Sequence, residues 1–199
     1  MNEFARPFRP EIELLLACAR SSLDSAAKER IEHLLERPLD WHYLFSLGQI
    51  HGLTPLLYVH LNRWAPASVP AEMRVQFRNH YLKTVRGNLI LAHELLRAID
   101  LFATHRIPVV PFKGPILASS VYGNLALREF CDLDFLVREA DAPRIRTLLQ
   151  QEGYRLSLPL APEQEGPYLR RHSSYGFSHG HRNISLEFHW QILPKREFP

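Results

Sequence analysis

One short stretch, Cys131-Asp132-Leu133-Asp134-Phe135-Leu136-Val137, restricts the folds open to this chain more than any other. Side chains two apart along a strand share a face. Asp132 and Asp134 therefore take one side, and Cys131, Leu133, Phe135 and Val137 take the apolar other. Two carboxylates at that spacing repel each other unless a positive group lies between them. A hard divalent cation, Mg²⁺ or Mn²⁺, takes oxygen ligands and keeps water or phosphate oxygens in the rest of its shell. The plainer alternative, two solvated acids on an open strand face, leaves the flanking sequence unexplained.

That flanking sequence begins with Ile107 to Phe112, an apolar, partly β-branched run that reads as a buried strand. Lys113-Gly114-Pro115 breaks it, with Pro115 suited to the first position of a helix through Ile116 to Tyr122, closed by Gly123-Asn124. After the acids, Ala142 to Gln151 reads as a helix ended by Glu152-Gly153, and Tyr154 to Leu158 as a strand. Pro159 to Pro167 reads as a loop without a core pattern. Two closing strands, about Ser174 to Ser178 and Asn183 to Trp190, are joined by the turn His179-Gly180-His181-Arg182. The last strand alternates, with Ile184, Leu186, Phe188 and Trp190 on one face and Ser185, Glu187 and His189 on the other. Glu187 thus becomes a third acid able to face the same cleft.

The first half reads as helical. Ile12, Leu15, Leu16 and Ala19 form a stripe in Glu11 to Arg20. Asp24 and Asp40 are N-cap residues for helices through Arg37 and from Trp41 to His51. A further helix covers Leu56 to Trp64, and a long one runs from about Ala71 to His105 with Leu89, Ala92, Leu95, Leu96 and Ile99 as its stripe. The aromatics and histidines here (Trp41, His42, Tyr43, His51, Tyr58, His60) belong to a packed helical core rather than a binding groove. The expected class is therefore α+β. A helical region, 1–88, precedes a small mixed sheet flanked by helices, 89–199.

Composition narrows the function. Of 199 residues, 46% are hydrophobic and 23% charged, the balance of a globular protein with a real core. A net charge of +3 does not point to a dedicated nucleic-acid surface. Cys18 and Cys131 give no disulfide framework, no apolar run has the length of a membrane span, and the N-terminus lacks a signal-peptide pattern. The expected setting is the cytoplasm.

Lys113-Gly114, Tyr122, Arg128 and Asp132-Leu133-Asp134-Phe135-Leu136-Val137, followed by Glu187-Phe188-His189-Trp190, resemble the uncharacterised nucleotidyltransferase family of the polymerase-β-like superfamily. The resemblance spans Ile107 to Trp190. It departs from the superfamily in having Lys-Gly where a Gly-Ser turn is common. It implies a nucleotidyltransferase core in which Asp132, Asp134 and Glu187 hold Mg²⁺ or Mn²⁺, and in which NMP passes from an NTP to a hydroxyl acceptor. ATP is the default NTP, and the acceptor is a small molecule or a protein. Members are usually longer, so the resemblance also implies acceptor-binding elements beyond these residues.

Residue chemistry assigns the remaining roles. Lys113 is a point charge for a triphosphate, and Gly114 lets backbone approach an anion. Arg128 suits a phosphate bidentately, or pairs with Asp132 or Glu129. His189 orients Glu187 or touches substrate. Metal binding is expected to be oxygen-rich and independent of histidine. A rival reading makes His172, His179, His181 and His189 ligands of a zinc or iron hydrolase. A third is a non-catalytic nucleotide sensor or partner module.

Overall fold

The computed structural model describes residues 8–192 and divides the chain into two compact units. One comprises the first 87 residues with Val121–Glu129, and the other comprises Asn88–Ser120 with the chain from Phe130 onward.

The helical unit contains α1 (Pro10–Cys18), α2 (Ser25–Leu35), α3 (Trp41–Ile50), α4 (Thr54–Trp64) and the first part of α5 (Ala71–Thr104). Two caps form as the sequence predicts: Asp24 accepts from the Ala27 N–H and Asp40 from the Tyr43 N–H. Leu14, Leu44, Leu57 and Phe77 are its innermost side chains. The stripe of α1 is rotated from the expected one. Leu14, Leu15 and Cys18 are buried with Glu11, whereas Leu16 is exposed. The acid is accommodated because Glu11 Oε1 accepts the Asp40 N–H at 2.8 Å, a satisfied polar group that apolar periodicity does not anticipate. Trp41 and Tyr58 pack on the core and His60 is buried on the Arg20 carbonyl, while His42 and His51 are exposed.

The second unit holds the sheet: β1 (Val109–Phe112), β2 (Leu133–Val137), β3 (Arg155–Leu156), β4 (Ser174–His179) and β5 (Ile184–His189), in the order β1-β2-β5-β4-β3. β2 and β5 run parallel, and the other pairs are antiparallel. The sheet is mixed, and the fold is α+β. The later part of α5 and α7 (Ala142–Gln151) supply Leu91, Leu95, Phe102, Ile145 and Leu149 to a core shared with Phe135, Phe177, Leu186 and Phe188. Phe135 and Phe188 stack at 4.9 Å, and Phe102 meets both edge-on.

Four expectations are corrected here. β1 is not a buried strand but an edge strand with Val110 exposed, and Pro111, which has no N–H for a second ladder, fits that place. β2 starts at Leu133, so Cys131 and Asp132 precede it and Cys131 is exposed. In the part of α5 that belongs to the sheet unit the buried apolar positions are Leu91, Leu95, Ala98 and Phe102, whereas Leu89 and Leu96 face outward; the stripe starts at the buried polar Asn88, which disguises its phase.

The fourth correction concerns the supposed loop from Pro159 to Pro167, which enters α8 (Pro162–Arg171) with Pro167 inside. Its signals are electrostatic rather than hydrophobic. Glu163 and Glu165 open it and Arg170 and Arg171 close it, matching the helix dipole, and Gln164 accepts the Ala161 N–H. Pro167 removes one helical hydrogen bond, and packing of Tyr168 and Leu169 on the core offsets that loss.

The helix between β1 and the acids, α6, covers Gly114–Ser120, ending before the predicted Tyr122.

Candidate active site

Strand register builds the site. Parallel pairing sets Asp134 opposite Glu187 and Leu136 opposite His189. With the apolar side chains of β2 and β5 turned toward α5, Asp134, Glu187 and His189 share the other face, in agreement with the alternation of both strands. Asp134 is buried, its side chain only 2% accessible.

A buried carboxylate needs compensation, and two neighbours supply it. Lys113 Nζ donates to Asp134 Oδ1 at 2.9 Å, and His189 Nε2 lies 3.1 Å from the same oxygen. Lys113 reaches it from the β1–α6 turn, where both Lys113 (φ 56°) and Gly114 (φ 36°) adopt the left-handed region. A side chain at Gly114 would be strained by the positive φ, although its Cβ would meet the Asp132 carbonyl oxygen only at 3.4 Å, an ordinary contact. The hydrogen bond to Asp134 raises the Lys113 pKa above its ordinary value, helped by the charges of Glu187 and Asp132.

His189 Nε2 also lies 3.4 Å from Glu187 Oε2, and its ring meets Phe112 edge-on at 5.4 Å. Protonated at Nε2 it donates to the carboxylates, and deprotonated there it offers a lone pair to a metal. The other Glu187 oxygen accepts from Ser174 Oγ at 3.0 Å. Ser174 comes from β4, and no pattern in the sequence marked it out.

Asp132 stands just ahead of β2. Burial, then the charges of Asp134 and Glu187, push its carboxyl above the usual aspartate range, and Lys113 only partly counters them. Asp132 thus belongs to the same electrostatic cluster. Among the described residues, however, the donor atoms that lie within 4.8 Å of one another are those of Asp134, Glu187 and His189. Two carboxylate oxygens and an imidazole nitrogen offer a divalent metal ion three ligands, with water completing the shell. The set differs from the all-oxygen one expected from sequence by including His189.

Arg128 lies in the Val121–Glu129 segment, which is grouped with the helical unit. Glu129, one candidate partner for it, bonds His80 at 2.9 Å. His179 packs edge-on against Tyr154, with the His181 ring 6.4 Å away. Among the described residues these two histidines join no group of three metal donors.

An α+β fold with a mixed sheet, acids on adjacent parallel strands and a lysine at a strand-to-helix turn agrees with a nucleotidyltransferase-like fold. The model of a family described as uncharacterised nucleotidyltransferase matches residues 37–199, and the chain belongs to that family. The match supports nucleotidyltransferase activity of a general kind. No curated protein and no solved structure matches the chain. Among the described residues, no helix is long and apolar enough to cross a membrane.

Proposed function

We propose that this protein is a divalent-metal-dependent nucleotidyltransferase that moves NMP from an NTP, ATP by default, to a hydroxyl acceptor. The observation that carries this reading is the pairing of Asp134 with Glu187 across parallel strands, with Lys113 on the same aspartate at 2.9 Å. It brings anionic metal ligands and a phosphate-binding cation to one point.

Asp134, Glu187 and His189 would hold the metal, with Asp132 beside them. Bound Mg²⁺ or Mn²⁺ would polarise the phosphoryl oxygens and absorb developing charge. Lys113 would leave Asp134 for the β- and γ-phosphates, and the Gly114 turn would let backbone amides approach them. Glu187 would take the proton of the acceptor hydroxyl as its oxygen attacks the α-phosphorus. The new P–O bond forms as the α–β bridging bond breaks, and pyrophosphate departs in line. The protein's share is positioning and preorganised charge.

The test is pyrophosphate release and labelled nucleotide incorporation in cell extract supplying the acceptor. Asp134→Asn is expected to lower turnover by at least about a hundredfold, while nucleotide binding falls less. Equal background from wild type and variant, with nucleotide still bound, would replace the enzyme by a nucleotide sensor.

A further inference from the structure

Beyond Glu187 the sheet continues into β4, and there the surface changes character. A groove of about 340 Å³ runs between the C-terminal end of α8 and the start of β4, lined by Glu139, Arg170, Arg171, His172, Ser174 and Trp190 among others. Arg170 and Arg171 both face it, and neither guanidinium meets a carboxylate within ion-pair distance among the described residues. Among the described residues, Glu139 is the one acid in that lining, against two arginines and a histidine.

The groove is joined to the site by specific contacts. Ser174 forms part of its wall and donates to Glu187 Oε1 at 3.0 Å. Tyr168 stacks on His172 at 4.0 Å and donates to the Ser174 carbonyl at 3.0 Å. Burial, then the Glu187 charge, push the Tyr168 phenol above its usual range. Trp190 is held edge-on by Tyr175 at 5.1 Å. Ser174 and Tyr168 therefore link the groove to Glu187, while Trp190 closes it from the core side of β5.

We propose that this groove is the acceptor subsite and that it selects a small hydroxyl compound bearing a phosphate monoester. The assignment rests on the nucleotidyltransferase reading and deepens it. In-line transfer puts the attacking oxygen opposite the departing pyrophosphate. The strand order places Lys113, at the end of β1, on one side of Asp134 and Glu187, and Ser174, on β4, on the other. Phosphates held at Lys113 leave on the β1 side, so the hydroxyl arrives from the β4 side. The volume accommodates a sugar phosphate. Arg170 and Arg171 offer guanidinium forks, which match phosphate geometry, and Trp190 lines the groove and reports on what enters it.

The experiment uses the full chain with Mg²⁺ and a non-hydrolysable ATP analogue, with ribose 5-phosphate and ribose as paired probes. The Trp190 indole N–H resonance, assigned through Trp190→Phe, reports the groove, and a fluorescent nucleotide reports the NTP site. Ribose 5-phosphate is expected to shift the Trp190 signal, and ribose is not. Arg170→Gln with Arg171→Gln weakens the phosphate probe at least tenfold and leaves analogue affinity within twofold. If the analogue binds but both ribose probes leave Trp190 unmoved, the subsite is wrong and the nucleotidyltransferase reading stands. If the double variant loses the analogue as well, the groove belongs to the triphosphate and the acceptor assignment is overturned. A wild type that fails to bind the analogue removes both.

Discussion

Asp134 Oδ1 receives the Lys113 ammonium at 2.9 Å and His189 Nε2 at 3.1 Å, in a side chain almost closed to water. A divalent cation seeking that oxygen competes with Lys113. Lys113→Met is therefore expected to tighten Mn²⁺ binding without nucleotide, by up to about 1 kcal/mol or roughly fivefold, because half of the lysine is solvent-exposed. The same variant weakens NTP binding, and calorimetry in the two conditions separates the effects. Asp132 poses the opposite problem. Its folded-state pKa is raised by burial and by Asp134 and Glu187. The protonated form thus contributes stability that is complete below the unfolded-chain value and is lost as pH rises through the folded value. At neutral pH the charge is a cost. Asp132→Asn is expected to raise Tm at pH 7 while lowering transfer, with the gain vanishing below about pH 4, where the wild-type carboxyl is protonated in both states. Calorimetric scans across that window check the sign.

Among the elements of the sheet unit, α5 is tied to the sheet by an ion network rather than by apolar contact alone. Buried Glu94 receives Arg97 at 2.7 Å, the Tyr154 hydroxyl, and Arg182 at 3.4 Å, while Arg97 also reaches Glu152 at 2.9 Å. Burial pushes the Glu94 carboxyl up, but the hydrogen bonds from Arg97 and Tyr154 and the charges of Arg97 and Arg182 outweigh it, so the net shift is downward. Burial and the bond to Glu94 push the Tyr154 phenol up to about 12. Arg97→Ala is expected to cost about 2 kcal/mol in urea unfolding at pH 7. A fully orphaned buried charge would cost roughly 3–5, but Arg182 and Tyr154 remain. Glu94 has a lowered folded pKa, so its stabilisation is present above the unfolded value, about 4.3, and fades as pH falls through the folded one. The gap between wild type and variant narrows accordingly in acid.

At the scale of the molecule, the two units carry separate cores, one around Leu14, Leu44, Leu57 and Phe77 and the other around Phe102, Phe135 and Phe188. The proposed nucleotide site draws only on the second. Saturating Mg²⁺ and ATP analogue is therefore expected to slow amide exchange in β2, β5 and the β1–α6 turn and to leave α1–α4 unchanged. At a ligand concentration of about 100 Kd the gain is roughly 2.7 kcal/mol. Equal protection of α1–α4 in the exchange map would show that nucleotide also engages the helical unit.

Several parts of this structure follow from local rules that act over a few residues. Asp24 and Asp40 cap the helices they precede, α7 spans Ala142–Gln151 and ends at Glu152-Gly153 as the sequence predicts, and β5 buries Ile184, Leu186 and Phe188 while turning Glu187 and His189 away from the core. Strand parity alone put Glu187 and His189 on one face, and the positive φ values of Lys113 and Gly114 agree with a turn at that dipeptide. Long-range pairing decided the rest. Parallel register between β2 and β5, set by burial of Phe135 against Phe188, is what brings His189 rather than Asp132 into the donor group with Asp134 and Glu187. Ser174 became a partner of Glu187 only through the β4–β5 pairing. The phases of α1 and α5 were hidden because Glu11, Asn88 and Glu94 are buried, and Asp40, Arg97 and Tyr154 satisfy the two acids from elsewhere in the chain. Local periodicity counts a polar residue as outward-facing; only the tertiary structure supplies the partner that lets it turn in.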